Sequence, residues 1–146
     1  MSTLSIVSAA DQAGYCTFAG ALRTTNLMRV LEGDGPFTMF APNDEAFEKL
    51  SRPTRDKLLD GDAALLRAVL GYHFAAGKVM AQRFAGKHIR AVTHSGGDLI
   101  VDGRAERLQV NHAQLIDPDI RAANGVIHGI DAVLWPKAAA KTAGAA

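Results

Sequence analysis

The side chains of this sequence with the most obvious capacity for chemistry are its histidines, and a bound metal is the first chemistry to consider. They are His73, His88, His94, His112 and His128. A zinc site needs three or four ligands that converge at about 2.0–2.3 Å. No two of these histidines stand four residues apart on one helical face, and no His-Glu-x-x-His motif is present. The spacing therefore predicts neither a metal site nor a cofactor.

The usual arrangements of a catalytic nucleophile are also missing from the sequence. No serine lies in a Gly-x-Ser-x-Gly elbow. The segment Gly33-Asp34-Gly35-Pro36 is too short and too acidic for a phosphate loop, and it precedes a strand rather than a helix. The single cysteine, Cys16, has no visible positive setting that would lower the pKa of its thiol, so we interpret it as a half-buried structural residue. We therefore predict no enzymatic activity.

Tyr72-His73 is the leading candidate for contact with a partner. Tyrosine combines an apolar ring with a polar tip, and histidine adds two hydrogen-bonding edges. The pair ends an apolar helical pattern and precedes Phe74. The alternative is that both are core residues whose polar atoms bond to the backbone, and their apolar neighbours favour it.

A basic segment provides a second candidate surface. The whole chain carries 16 basic and 15 acidic residues, a net charge of +1, which argues against a general nucleic-acid binder. Residues 63–97 nevertheless contain no acidic residue. If its basic side chains share a face, they attract a polyanion such as an acidic polysaccharide or an anionic membrane surface. Otherwise they scatter over solvated loops. The candidate contacts are Lys78, Arg83, Lys87 and Arg90.

The elements that carry these residues change character near the middle of the chain. Apolar residues recur at helical spacing from Leu4 to Gly77, interrupted by the β-rich run Phe37 to Ala41. From Ile89 onward, short apolar runs alternate with turn signals and predict strands, the last from Val126 to Trp135. Helices followed by antiparallel strands indicate an α+β fold.

Several element boundaries follow from single residues. Pro42 ends the first strand, and either Asn43 or Asp44 can cap the helix that follows, because a short side-chain oxygen accepts a bond from an exposed N–H. Asp62 is the predicted cap of a longer helix. Asn111-His112 and Asp117-Pro118 are predicted to turn the chain between strands.

The length of 146 residues suits one domain, which we place at residues 1–136. Residues 137–146 form an alanine- and lysine-rich tail, predicted to be flexible. No segment reaches the ~20 apolar residues of a membrane span. The N-terminus has no basic region followed by an apolar core, so no secretory signal is visible and a cytoplasmic location stays open.

Three segments, in this order and spacing, resemble the fasciclin-like (FAS1) domain family. They are Thr38 to Phe47, the central Leu70-Gly71-Tyr72-His73, and Asn124 to Pro136. The resemblance extends over nearly the whole chain, and the three motifs together are specific. The positions that match its two signatures are Thr38, Pro42, Asn43, Asp44, Phe47, Asn124, Gly125, His128, Asp131 and Pro136.

The resemblance implies a wedge of two antiparallel β-sheets with a helical layer packed beside it. It implies a non-enzymatic adhesion or surface-interaction module that is extracellular, periplasmic or on the cell surface. In animal members the Tyr-His region has been linked to integrin binding. The resemblance also implies that His128 and Asp131 lock the core through hydrogen bonds to other segments. Three apart on a strand, these two lie on opposite faces and form no acid–base pair.

The leading hypothesis is therefore an adhesion or surface/matrix module whose partner is a surface protein or a polysaccharide. The alternative is a carrier that holds an apolar small molecule or lipid in a groove of the same fold. A hydrolase with a dispersed site is a third hypothesis. The chain departs from the family at Asn111-His112, where Asn-Gly is frequent, so that turn is expected to be of another type.

Overall fold

A seven-stranded mixed sheet with helices against it forms the framework of the structure, which is a computed structural model. It describes residues 5–33, 35–61, 63–95, 97–104, 108–111 and 113–135. The predicted α+β class is confirmed, since the helices come first and the strands follow. Asp62, His112, Pro136 and the predicted tail at 137–146 lie outside the described residues.

The helices precede most of the strands along the chain. They are α1 (Ile6–Gln12), α2 (Cys16–Arg23), α3 (Leu27–Leu31), α4 (Asp44–Glu48), α5 (Arg52–Asp56) and α6 (Ala63–Gly71), with a π-helical turn at Lys57–Gly61 and a 3₁₀ turn at Ala81–Arg83. The strands are β1 (Phe37–Pro42), β2 (Phe74–Ala76), β3 (His88–Val92), β4 (Asp98–Asp102), β5 (Gln109–Val110), β6 (Ala113–Ala122) and β7 (Gly125–Ile130).

The strands lie in the order β2-β1-β7-β6-β5-β4-β3. Among the strand pairs that the structure describes, all are antiparallel except β1 and β7. That central pair runs parallel, from Phe37 opposite Gly125 to Pro42 opposite Ile130. The prediction of two antiparallel sheets is corrected at this one pair, where the first and last of the described strands meet.

The side chains of β1 alternate between two hydrophobic clusters, as the two-residue period of a strand requires. Met39 and Ala41 belong to the cluster shared with the helices. Phe40 belongs to the second cluster, beside Leu99 of β4 and Phe84, which follows the 3₁₀ turn. A strand buried on both faces reads as a continuous apolar run. This explains why β1 lacks polar alternation in the sequence.

Two predicted strand boundaries are wrong. β7 ends at Ile130 instead of Trp135, because the Asp131 carboxylate accepts a hydrogen bond from Gln114 N at 2.8 Å and ends the ladder. Strand β6 continues through Asp117-Pro118, which was predicted to be a turn. Its register shifts on either side of Asp117, and such a bulge accommodates a proline that has no N–H to donate.

The predicted helix cap is present. Asn43 Oδ1 accepts a hydrogen bond from Ala46 N at 2.8 Å at the start of α4. Asp44 Oδ1 bonds to Thr17 N at 2.9 Å, so it connects α4 to the first turn of α2. Phe47 packs in the helical cluster. The first signature of the sequence therefore joins β1 to the helical layer.

Candidate functional site

An open groove of about 300 Å³ lies where strands β2 and β3 approach each other. Its floor is apolar, formed by Phe40 of β1 together with Val79, Phe84 and Ile89. Its remaining lining residues are Thr38, Ala75, Ala76, Arg83, Lys87, Arg90 and Ala91. A concave, mostly apolar site with a few polar groups is the general form of a small-molecule pocket.

The groove exists because β2 and β3, the two end strands of the sheet, approach each other without forming a continuous ladder of backbone hydrogen bonds. The sheet curves until β2 and β3 adjoin, and His94 N donates to Phe74 O at 2.9 Å at one end. Elsewhere the lining residues that face each other are the small Ala75 on β2 and Ala91 on β3. A methyl group fills little of the gap, so the space between the strands stays open.

Three basic residues line the mouth of the groove, and all three are exposed. Arg83 ends the 3₁₀ turn, Lys87 immediately precedes β3, and Arg90 lies on β3. Arg90 Nη1 is 3.6 Å from Asp98 Oδ2, with both side chains well exposed, so this pair contributes little stability. Within the described part of the chain, Arg83 and Lys87 form no ion pair. Arg83 and Lys87 therefore carry positive charge that is available to a ligand, whereas the Arg90 guanidinium lies beside the Asp98 carboxylate.

The structure brings together three of the four predicted polyanion contacts. Lys78 is exposed but is not part of the groove lining. The absence of acidic residues from 63 to 97 indicated that this surface is positively charged. It did not indicate that Arg83, Lys87 and Arg90 line the same groove. Nothing in the sequence indicated that the alanines of the lining would border a groove.

Thr38 holds the segment that follows β2. Its hydroxyl donates to Gly77 O at 2.6 Å and accepts from Val79 N at 2.9 Å. The segment that begins at Gly77 leads through Val79 to the 3₁₀ turn with Arg83. A residue of the first signature thus fixes one wall of the groove, a role that sequence reasoning missed.

His128 supports the floor from beneath. Its ring centroid is 5.6 Å from that of Phe40 and 6.1 Å from that of Phe84. Nε2 donates to Val79 O at 2.7 Å, and Nδ1 accepts from Asp119 N at 3.1 Å. Burial lowers the pKa of His128 below its ordinary value, which favours the neutral ring that this bonding pattern requires.

Asp119 and Asp131 complete the hydrogen bonds around the second signature. Asp119 Oδ1 accepts from Ala81 N at 2.8 Å, which holds the 3₁₀ turn. The Asp131 carboxylate accepts a hydrogen bond from Gln114 N, and the backbone carbonyl of Asp131 accepts one from Lys49 Nζ at 3.1 Å. His128 and Asp131 therefore bond to different segments rather than to each other.

Asn124 connects the start of β7 to the helical layer, and Gly125 packs closely against β1. Asn124 Oδ1 accepts from Ile6 N at 2.9 Å, and its Nδ2 donates to Leu31 O at 2.6 Å and to Gly33 O at 2.9 Å. A Cβ at Gly125 would lie 2.2 Å from Phe37 O, so no larger residue fits beside β1.

The structure corrects the interpretation of Tyr72-His73 as a contact surface. Tyr72 is 6% exposed and His73 is fully buried. The Tyr72 hydroxyl donates to Asp98 O and accepts from Asn111 Nδ2. His73 Nδ1 donates to Val69 O at 2.7 Å, and its Nε2 accepts from Leu134 N at 2.9 Å. Both side chains are core residues with satisfied polar atoms, the alternative that their apolar neighbours favoured.

Two further predictions concern reactive side chains. Cys16 is exposed instead of half-buried, and a hydrogen bond to Asp11 raises the pKa of its thiol, which disfavours the nucleophilic thiolate. Among the residues that the structure describes, no group of three or more histidine, cysteine, aspartate or glutamate residues is arranged to hold a metal ion. Of the other histidines, His88 and His94 are exposed, and the His94 ring stacks on Phe74.

No helix in the described ranges has the length and apolar character needed to cross a membrane.

Comparison with known proteins identifies relatives of this chain. The model of the Fasciclin domain family matches residues 13–136. The cell surface glycolipoprotein MPB83 of Mycobacterium bovis is 42% identical over 113 residues, which cover 77% of this chain and 49% of that protein. Protein sll1483 of Synechocystis sp. is 34% identical over 137 residues, which cover 92% of this chain and 75% of that protein. The chain therefore spans about half the length of the mycobacterial relative.

A solved structure has the same fold. It is a FAS1 domain pair from the insect cell adhesion molecule fasciclin I, which aligns with a TM-score of 0.81 at 17% identity. The alignment covers 94% of this chain and 53% of the insect chain. At this identity the likeness concerns the fold alone, and it confirms the fold expected from the three sequence motifs.

Proposed function

This chain belongs to the Fasciclin domain family, and on that premise we propose that it is a non-enzymatic surface-interaction module that acts outside the cytosol. The observation that carries the proposal is the cationic mouth formed by Arg83, Lys87 and Arg90. Its partner is an acidic polysaccharide of a cell envelope or matrix. A cluster of exposed cations attracts such a polymer by long-range electrostatics and holds it through ion pairs.

The chemistry of the groove lining supports a binding role over a catalytic one. Apart from the three cations, its described side chains are hydrocarbon, with Thr38 as the exception. The Thr38 hydroxyl is already engaged with Gly77 and Val79. A general base or nucleophile must reach the substrate at hydrogen-bond distance, and the described lining offers no carboxylate, imidazole or thiol for that purpose.

The net charge of the whole chain is too small to explain binding to an acidic polysaccharide. The net charge is only +1. The test is retention on immobilised dextran sulfate, an anionic polysaccharide, at 50 and 300 mM NaCl. We expect strong retention at low salt that falls steeply at high salt, because added ions screen exposed charges and replace those released on binding.

The variant for this test is Arg83→Gln/Lys87→Gln/Arg90→Gln. A matched control, Arg29→Gln/Arg52→Gln/Arg67→Gln, removes the same number of charges from exposed positions on α3, α5 and α6. We expect the mouth variant to lose retention and the control to keep it. Equal losses in both would show that binding follows net charge alone and would contradict the proposed surface.

A second test concerns location. Cell fractionation of the native host with an antibody to this chain should recover it in the envelope, the periplasm or the medium. Recovery in the cytosol alone would exclude the surface-interaction role, whatever the purified protein binds in vitro.

A further inference from the structure

The size of the groove indicates how large a ligand it holds. Its volume is about 300 Å³, at the lower end of the range for ligand pockets. One water molecule takes about 30 Å³ of liquid, and a methylene group is of similar size. The groove therefore has room for one hydrocarbon chain of up to about ten carbon atoms, and a second chain would need as much volume again.

The lining indicates the chemistry of that ligand. Phe40, Val79, Phe84 and Ile89 present hydrocarbon along the floor, so they favour an apolar chain. Arg83, Lys87 and Arg90 line the same space at its mouth. An arginine guanidinium presents a planar fork of donors that matches the two oxygens of a carboxylate. An apolar floor beneath a cationic mouth is complementary to an amphiphile with a negative head.

We propose that the groove is a binding site for a fatty carboxylate with a single chain of about ten carbons. The chain lies between β2 and β3, and the head group meets Arg83, Lys87 and Arg90. This site goes beyond the proposed binding of a polysaccharide, which needs the cations but not the groove. It gives the carrier hypothesis raised by the sequence a specific ligand and a specific location.

The experiment is calorimetric titration of the intact chain with decanoate, octanoate and hexanoate at pH 7.5, where a carboxylate is ionised. Each buried methylene contributes enough to tighten binding about fourfold. Decanoate should therefore bind about sixteenfold more tightly than octanoate. The cation decyltrimethylammonium has the same chain length and the opposite charge, and it should bind at least tenfold more weakly than decanoate.

A groove-filling variant tests the position of the chain. Ala91→Phe places a ring in the space between β2 and β3, and it should weaken decanoate binding more than tenfold. Val92→Phe is its matched control, because Val92 is the next residue of β3, is 63% exposed and does not line the groove. If circular dichroism shows Ala91→Phe to be misfolded, Ala75→Phe fills the groove from the opposite strand and gives the decisive result, because Ala75 lies on the same face of the sheet as Thr38 of the lining.

The outcomes separate this proposal from the previous one. If dextran sulfate is retained but decanoate does not bind, only the fatty-acid site is wrong. If decanoate binds but dextran sulfate is not retained, only the polysaccharide surface is wrong. Equal affinity for decanoate and decyltrimethylammonium, or undiminished binding by the groove-filling variants, would overturn the site. So would tighter binding to phosphatidylglycerol vesicles than to monomeric decanoate, since that would indicate a membrane surface as the ligand.

Discussion

Acidification should destabilise this protein through His73, a histidine that the fold holds in its neutral form. The ring is fully buried, donates from Nδ1 to Val69 O and accepts at Nε2 from Leu134 N. A protonated ring would lose the second bond, because both nitrogens would then be donors. Burial lowers the pKa of His73 from 6.5 to about 4.

The direction and size of the effect follow from linkage. Between pH 6.5 and 4 the unfolded chain binds a proton at His73 that the folded chain does not, so the free energy of unfolding falls as pH falls. Each pKa unit corresponds to about 1.4 kcal/mol. At pH 5.0 the loss is therefore about 2 kcal/mol, and it reaches about 3 kcal/mol by pH 4. Above about pH 7.5 this residue contributes almost no pH dependence, because it is then neutral in both states.

The assay is urea denaturation of the wild type and of His73→Gln at pH 7.5 and pH 5.0. Glutamine does not ionise, and its amide supplies one donor group and one acceptor. We expect the variant to be less stable at pH 7.5 by about 1–3 kcal/mol, since its hydrogen bonds fit less well. Its loss on acidification should be about 2 kcal/mol smaller than that of the wild type. His128 is present in both proteins, so its contribution cancels. Equal losses in the two proteins would refute the reasoning.

Two further predictions concern the signature residues, with free energies of unfolding from urea denaturation as the measurement. Asn124→Ala removes three hydrogen bonds to the helical layer and should lower the free energy of unfolding by about 2–4 kcal/mol. Asn124→Asp keeps only the acceptor for Ile6 N and should also be destabilised. A loss below about 0.5 kcal/mol for the alanine variant would contradict this role. Thr38→Val leaves Gly77 O and Val79 N without their hydroxyl partner and should lower the free energy of unfolding by about 1–3 kcal/mol. Thr38→Ser keeps the hydroxyl and should be less destabilised. A serine variant as unstable as the valine variant would show that the loss comes from packing and not from the hydrogen bonds.

Local features of the fold were predictable because their causes lie close together in the sequence. Asn43 caps α4 through a residue three positions along the chain. Apolar spacing predicted the order of the other helices and strands, but it predicted a helix continuing to Gly77 where the structure has strand β2, because β2 forms only by pairing with β1. The continuation of β6 through Pro118 was not predictable, because it depends on a bulge that forms only against β7. Asp117-Pro118 is typical of a turn, but pairing with β7 keeps this segment in the strand.

The candidate site shows the same limit. The absence of acidic residues from 63 to 97 is visible in the sequence and predicts the sign of a surface. The groove itself requires β2 and β3, the opposite ends of the strand order, to adjoin, and no local pattern reports this. Burial of Tyr72 and His73 likewise depends on distant partners such as Asn111 and Leu134. Their apolar neighbours in the sequence favoured a core role, but only these distant contacts decide it.

The parallel pairing of β1 with β7 has a consequence for how the protein is made. Phe37–Pro42 and Gly125–Ile130 are neighbours at the centre of the sheet, but they are synthesised at opposite ends of the folded region. Because β1 has only the short β2 on its other side, its main hydrogen-bonding partner is β7, which leaves the ribosome after the other six described strands. Contacts between such distant segments form slowly, since the loop between them must close first. We therefore expect the nascent chain to gain its stable core only after β7 has emerged. Premature termination before residue 125 would leave the apolar β1 exposed to aggregation.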